Sequence, residues 1–154
     1  MARTKGAIAK RDDNWYMKLA VKEGYKAMDN KAGKPFGAII LKDGHLISKA
    51  YDKTSIKPSI INHSIITAID MACRKLGTSD LSGCVLYTTT EPCLMCYGAC
   101  INAKIDSIIY ANVESSLVDC NYHEQRVGEV KVDEYVLNNF DSKELMAKYL
   151  LRRN

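Results

Sequence analysis

Thr89-Thr90-Glu91-Pro92-Cys93-Leu94-Met95-Cys96-Tyr97 is the stretch on which the reading of this chain turns. Before it runs Val85-Leu86-Tyr87-Thr88, a β-branched and aromatic run that reads as a strand. After it an apolar segment extends to about Ala103 and reads as a helix. Pro92 is expected in that helix's first turn, where the N–H that proline lacks would have no intrahelical partner. Cys93 and Cys96, three residues apart, then face one way at the helix start. Free N–H groups and the positive end of the helix dipole favour thiolate over thiol there. Two thiolates are half of a tetrahedral zinc site, so further donors must come from elsewhere in the chain.

A second loop-to-helix entry lies upstream, Ile60-Ile61-Asn62-His63-Ser64-Ile65-Ile66-Thr67-Ala68-Ile69, with a histidine at its start. Lys34-Pro35-Phe36-Gly37-Ala38-Ile39-Ile40 reads as a first strand, and Leu81-Ser82-Gly83-Cys84 leads into the strand before Pro92. On these residues the chain resembles the zinc-dependent cytidine deaminase superfamily, in the branch of small nucleobase deaminases and bacterial tRNA adenosine deaminases. The family pattern is H-x-E followed by P-C-x-x-C, with one histidine and two cysteines on zinc and water in the fourth position. The resemblance covers roughly residues 13 to 112. It implies a cytidine deaminase-like α/β fold, a three-layer α/β/α domain with a five-stranded mixed sheet. It also implies a zinc ion on His63, Cys93 and Cys96, and hydrolytic deamination of an amino group on a purine or pyrimidine base or nucleoside. Relatives pair through helices flanking the site, so a homodimer is expected, with Met95, Tyr97 and Ile101 as an apolar patch.

One departure from the family pattern outweighs the matches. Where the pattern has glutamate, two residues after the histidine, this chain has Ile65. That glutamate is the general acid and base, and an isoleucine can move no proton. Glu91, Asp52 and Glu114 are the carboxylates that stand nearest as substitutes. Glu91 lies beside Cys93, while the resemblance puts Asp52 and Glu114 in loops at the pocket rim. None shares the helix position of the family glutamate. Two loops depart as well, reading Tyr51-Asp52-Lys53-Thr54 and Ser59-Ile60-Ile61-Asn62 where the branch carries an asparagine and an Asp-Pro. Asn62 either contacts a base or caps the following helix. The expectation is a deaminase-family protein, weak or inactive. The alternatives are a pseudoenzyme subunit supporting an active paralogue, as in eukaryotic tRNA adenosine deaminase, and a nucleic-acid-binding module.

Composition bounds these readings. The chain has 154 residues, 47% hydrophobic and 26% charged, which suits one soluble domain with one good core. Its net charge of +4 is concentrated at the ends, in Arg3, Lys5, Lys10 and Arg11 and in Lys148, Arg152 and Arg153. No aromatic-basic stripe accompanies them, so solvated ends are the reading preferred to nucleic-acid contact. No apolar run is long enough to span a membrane, and no signal-peptide core precedes the first helix. Six cysteines with a C-x-x-C pair and no secretory signal argue for reduced thiols, a metal site and a cytoplasmic location.

In chain order, Asp12 or Asp13 is expected to cap a helix to about Met28. Phe36 to Leu41 and Leu46 to Tyr51 flank Asp43-Gly44, a hairpin signal that leaves His45 exposed in the turn. A helix from His63 ends at Gly77, with Ile65, Ile66, Ile69, Ala72 and Cys73 at helical spacing. Cys73, Cys84 and Cys100 read as core residues rather than reactive thiols. Ile105 to Ala111 is a strand expected to run parallel to its predecessor across the helical connection. Residues 112 to 130 are polar and irregular, the kind of region that covers a site, and Val130 to Val136 is either strand or helix. Asp141 is expected to cap a last helix with Leu145, Met146, Tyr149 and Leu150 on one side.

Overall fold

The computed structural model describes residues 11–56, 58–112 and 132–153. The expected irregular region, with Glu114 in it, lies outside these residues, apart from Asn112 at its start. So do Arg3, Lys5 and Lys10 of the basic N-terminal end.

Helix α1 spans Asp13–Asp29 and is capped by Asp12, whose carboxylate accepts the Trp15 amide at 2.8 Å. Strands β1, Gly37–Lys42, and β2, His45–Tyr51, form the hairpin. Its turn needs two left-handed residues, and Asp43 (φ 51°) and Gly44 (φ 76°) supply them. His45 opens β2 and is exposed. Helix α2 covers Ser64–Leu76 and stops at Gly77, left-handed with φ 66°. Strand β3, Cys84–Thr90, leads to helix α3, Leu94–Asn102, and strand β4 is Ser107–Asn112. Residues Asp133–Val136, the segment whose sequence fits either element, form strand β5, and helix α4 runs Phe140–Arg153.

The five strands form one mixed sheet in the order β2-β1-β3-β4-β5. Strand β1 is antiparallel to both neighbours, whereas β3, β4 and β5 run parallel. The central strands β1, β3 and β4 bury both faces, so their residues alternate between two cores. Ala38, Ile40, Leu86 and Ile108 pack with α2 and α3. Ile39, Leu41, Tyr87 and Ile109 pack with α1 and Leu145 of α4. Helix α1 sits close on β1 because Gly37 has no side chain; a Cβ there would overlap the Ala20 carbonyl.

Three local expectations change. Pro92 lies just before the cap rather than inside α3, because Cys93 takes the extended cap position and its sulfur accepts the Cys96 amide at 3.5 Å. Asp141 does not cap α4. Asn139 does, accepting the Ser142 amide at 2.8 Å while donating to Asn14 at 2.9 Å. Leu150 is exposed, although Leu145 and Met146 are buried and Tyr149 packs on the core.

Candidate metal centre and its cleft

The site forms where two helices start. Strand β3 ends at Thr90 and delivers Cys93 to the cap of α3, while the loop after β2 delivers His63 to the cap of α2. Asn62 is not the cap, since His63 holds that position. The Asn62 carbonyl instead accepts the Lys53 amide at 3.1 Å, tying the loop's two ends together.

His63 Nδ1 lies 3.6 Å from Cys93 Sγ and 3.5 Å from Cys96 Sγ. All three donor atoms fall within 4.8 Å of one another. A tetrahedral zinc with ordinary Zn–S and Zn–N bonds would separate sulfur from nitrogen by about 3.6 Å, so the triad already has the spacing of a zinc site. Two sulfurs, one imidazole and an open side are also the donor set that suits zinc chemically. The thiols prepare for it unequally. Cys93 is drawn down to about 4, chiefly by the hydrogen bond from the Cys96 thiol, with His63 and the Cys96 amide adding to it. Cys96 is pushed up by that same bond and by burial. The bond between the two sulfurs thus favours thiolate at Cys93 and thiol at Cys96, and a zinc ion held there would displace the remaining proton.

Cys100, one turn deeper, is fully buried and pushed up to about 12 by burial. It stands outside the triad, in the core as the sequence suggests. Cys84 is buried as well, and burial raises its thiol; Cys73 is only half-buried.

The triad opens on a cleft of about 200 Å³. Ile65 lines it, with its side chain buried in the α2–α3 core. Glu91 and Asp52 line it too, at 2% and 3% exposure, so Asp52 is a buried wall residue rather than an exposed rim one. The Asp52 carboxylate accepts the Thr54 amide at 2.9 Å, and its own amide donates to the Phe36 carbonyl at 3.0 Å. Lys34, Phe36, Thr54, Ile60, Ser64 and Thr90 complete the wall; the sequence offers them as framework or loop residues and not as site residues. Thr90 alone carried a signal, since strand alternation puts it on the face of Leu86.

The model of the cytidine and deoxycytidylate deaminase zinc-binding region matches residues 10–112, about two thirds of the chain. The chain belongs to this family. Within the family, it is 38% identical over 100 residues to the tRNA-specific adenosine deaminase of Aquifex aeolicus, covering 65% of this chain and 66% of that one. It is 34% identical over 107 residues to the guanine deaminase of Bacillus subtilis, covering 70% and 69%. The chain thus matches about two thirds of the length of these relatives. A solved structure from work on A-to-I editing by tRNA:A34 deaminases superimposes with a TM-score of 0.75 at 30% identity, covering 85% of this chain and 98% of that one. Zinc is the metal of this deaminase family, and the His63, Cys93 and Cys96 geometry fits it.

Proposed function

We propose that this family member holds one zinc ion on His63, Cys93 and Cys96 beside a base or nucleoside cleft, and that its hydrolytic deaminase activity is weak or absent. The observation that carries the reading is Ile65. It stands at the glutamate position of the H-x-E pattern, with its side chain in the core and in the cleft wall. Zinc in such a site supplies Lewis-acid activation of water for attack on an amino-bearing ring carbon. The chain's own contribution is to hold the metal between two helix starts and to wall the cleft with Ile65, Phe36 and Ile60. What it lacks at residue 65 is a group that accepts and returns a proton.

A second reading is favoured by the exposed Leu94 and Met95 on α3, next to the triad; of the expected patch only Met95 is exposed, since Tyr97 and Ile101 are half-buried against the core. In it the chain serves as a zinc-stabilised partner, in a homodimer or beside an active paralogue, and the apolar side chains form the contact.

Ammonia release from guanine, cytosine, adenosine and cytidine, compared for the wild type and Ile65→Glu with zinc content measured alongside, tests both. Little turnover by the wild type and a gain of about 10²- to 10⁴-fold in the variant is the expected result. Clear wild-type turnover would overturn the reading and move the proton-transfer role to Glu91 or Asp52. If neither protein turns over, the partner role gains.

A further inference from the structure

A second cavity lies on the face of the sheet turned away from the metal centre. It measures about 380 Å³, larger than the metal cleft and within the roughly 300–1,000 Å³ of small-molecule sites. Its apolar part belongs to the core that the sheet shares with α1. The rings of Tyr16 and Tyr87 stand 5.3 Å apart between centroids, tilted by 45°, with Leu41 and Val85 beside them. The Asp43-Gly44 turn and the start of α1 complete the wall.

Two polar features distinguish the cavity from a packing fault. Tyr16 is 6% exposed and lines it, yet the Tyr16 hydroxyl makes no hydrogen bond among the described residues. A buried hydroxyl without a partner is costly, and a ligand would satisfy it. A Cβ at Gly44 would lie 3.9 Å from that oxygen, so a larger residue in the turn would fill the space beside it. Asp13 is the second feature. Its Oδ1 accepts the Tyr87 hydroxyl at 2.6 Å, while its Oδ2 makes no hydrogen bond among the described residues.

The charges decide what kind of ligand suits the cavity. Ionised carboxylates accept hydrogen bonds and donate none, so Asp13 and Asp43 offer acceptors only. The faces of the two tyrosine rings attract cations as well. An anionic ligand would meet both aspartates. Arg11 is the one cation among the described lining residues, and its guanidinium lies over the Trp15 ring, 4.5 Å from the centroid. The positive end of the α1 dipole is already met by Asp12, which accepts the Trp15 amide at 2.8 Å.

We propose that this cavity binds a small organic ammonium ion attached to a flat apolar ring. Its N–H groups meet Asp13 and the Tyr16 hydroxyl, and its ring packs against Tyr87, Leu41 and Val85. The site depends neither on zinc nor on deamination.

Phenethylammonium, 2-phenylethanol and 3-phenylpropionate share a ring and a two-carbon chain and differ in the end group. Titration of the full chain with each is followed by amide NMR shifts. The ammonium ion is expected to saturate shifts at Gly44 and Val85 with a Kd of about a millimolar or tighter, leaving Ser64 and Cys96 unmoved. The alcohol should bind about tenfold more weakly, the share of a charge-assisted hydrogen bond, and the propionate more weakly still. Asp13→Asn keeps an oxygen for the Tyr87 hydroxyl but removes the charge. It should cut the preference for ammonium over alcohol to about threefold or less. Tyr16→Phe removes only a hydroxyl without a described partner, so it should weaken the ammonium ion by about threefold at unchanged melting temperature. If Asp13→Asn does not fold, Asp43→Asn makes the same test, since asparagine tolerates the left-handed φ of 51° at that position. Equal affinities for the three probes would mark a plain apolar hole and overturn the proposal. So would shifts confined to the metal cleft, no saturation at about ten millimolar, or wild-type affinity and preference in both variants. Because the two sites lie on opposite faces of the sheet, a failure here leaves the metal reading standing, and loss of zinc leaves this cavity in place.

Discussion

The two helices that meet at the metal centre begin in different ways. Helix α3 starts on Cys93, whose sulfur caps the helix by accepting the Cys96 amide at 3.5 Å. Helix α2 starts on His63, whose side chain makes no capping hydrogen bond, its ring lying instead against the two sulfurs. The first helix is therefore sealed by its own ligand, while the second depends on what that ligand touches. Metal at this place is a bond between unequal partners. It fixes the entry of α2, and it adds to an entry of α3 that already holds itself.

The largest way to break the comparison is to remove the ligand both sides share. Cys96→Ala should lower zinc content from about one per chain to under about a tenth, with a fall in melting temperature, since metal binding is coupled to folding. A variant that keeps full zinc would show that Cys96 is no ligand. Chelation of the wild type is the sharper probe. Hydrogen exchange of the metal-free protein should rise more in the first turn of α2 than in the first turn of α3, because the Cys93 cap survives and His63 offers none. Equal protection at both starts would end the distinction. The smallest effect separates ligation from capping at a single residue. In metal-free protein, Cys93→Ser keeps an acceptor at the cap and Cys93→Ala does not, so denaturant unfolding should find the serine variant more stable by about 1 kcal/mol.

Much of this was legible because two signals agreed. The spacing of Cys93 and Cys96 and the helix-initial His63 mark the triad, and turn residues such as Asp43-Gly44 and Gly77 bound the elements with their backbone needs. What the sequence hid depends on tertiary contact. Asn139 and Asp141 are equally good caps by composition, and the bond from Asn139 to Asn14, far away in the chain, accompanies the choice. Strand β5 is four residues long, with three of them exposed, too little pattern to separate strand from helix. The rim position of Asp52 came from the resemblance, which locates a loop and not the burial of a side chain; the space for it is made by Gly33, on another loop.

That contact between Gly33 and Asp52 also sets an order on mutational change. Neither residue has a left-handed backbone, so position 33 is held to glycine by its neighbour's side chain and not by its own conformation. Any larger residue at 33 is disfavoured while Asp52 is in place; shortening residue 52, for instance to alanine, removes the two side-chain contacts and leaves only the residue 52 carbonyl, 3.2 Å from a Cβ at 33. The same substitution at 33 is therefore more or less harmful according to what happened first at 52. A chain drifting toward a different cleft would have to pass through residue 52 before residue 33, and the two positions should be found changing together.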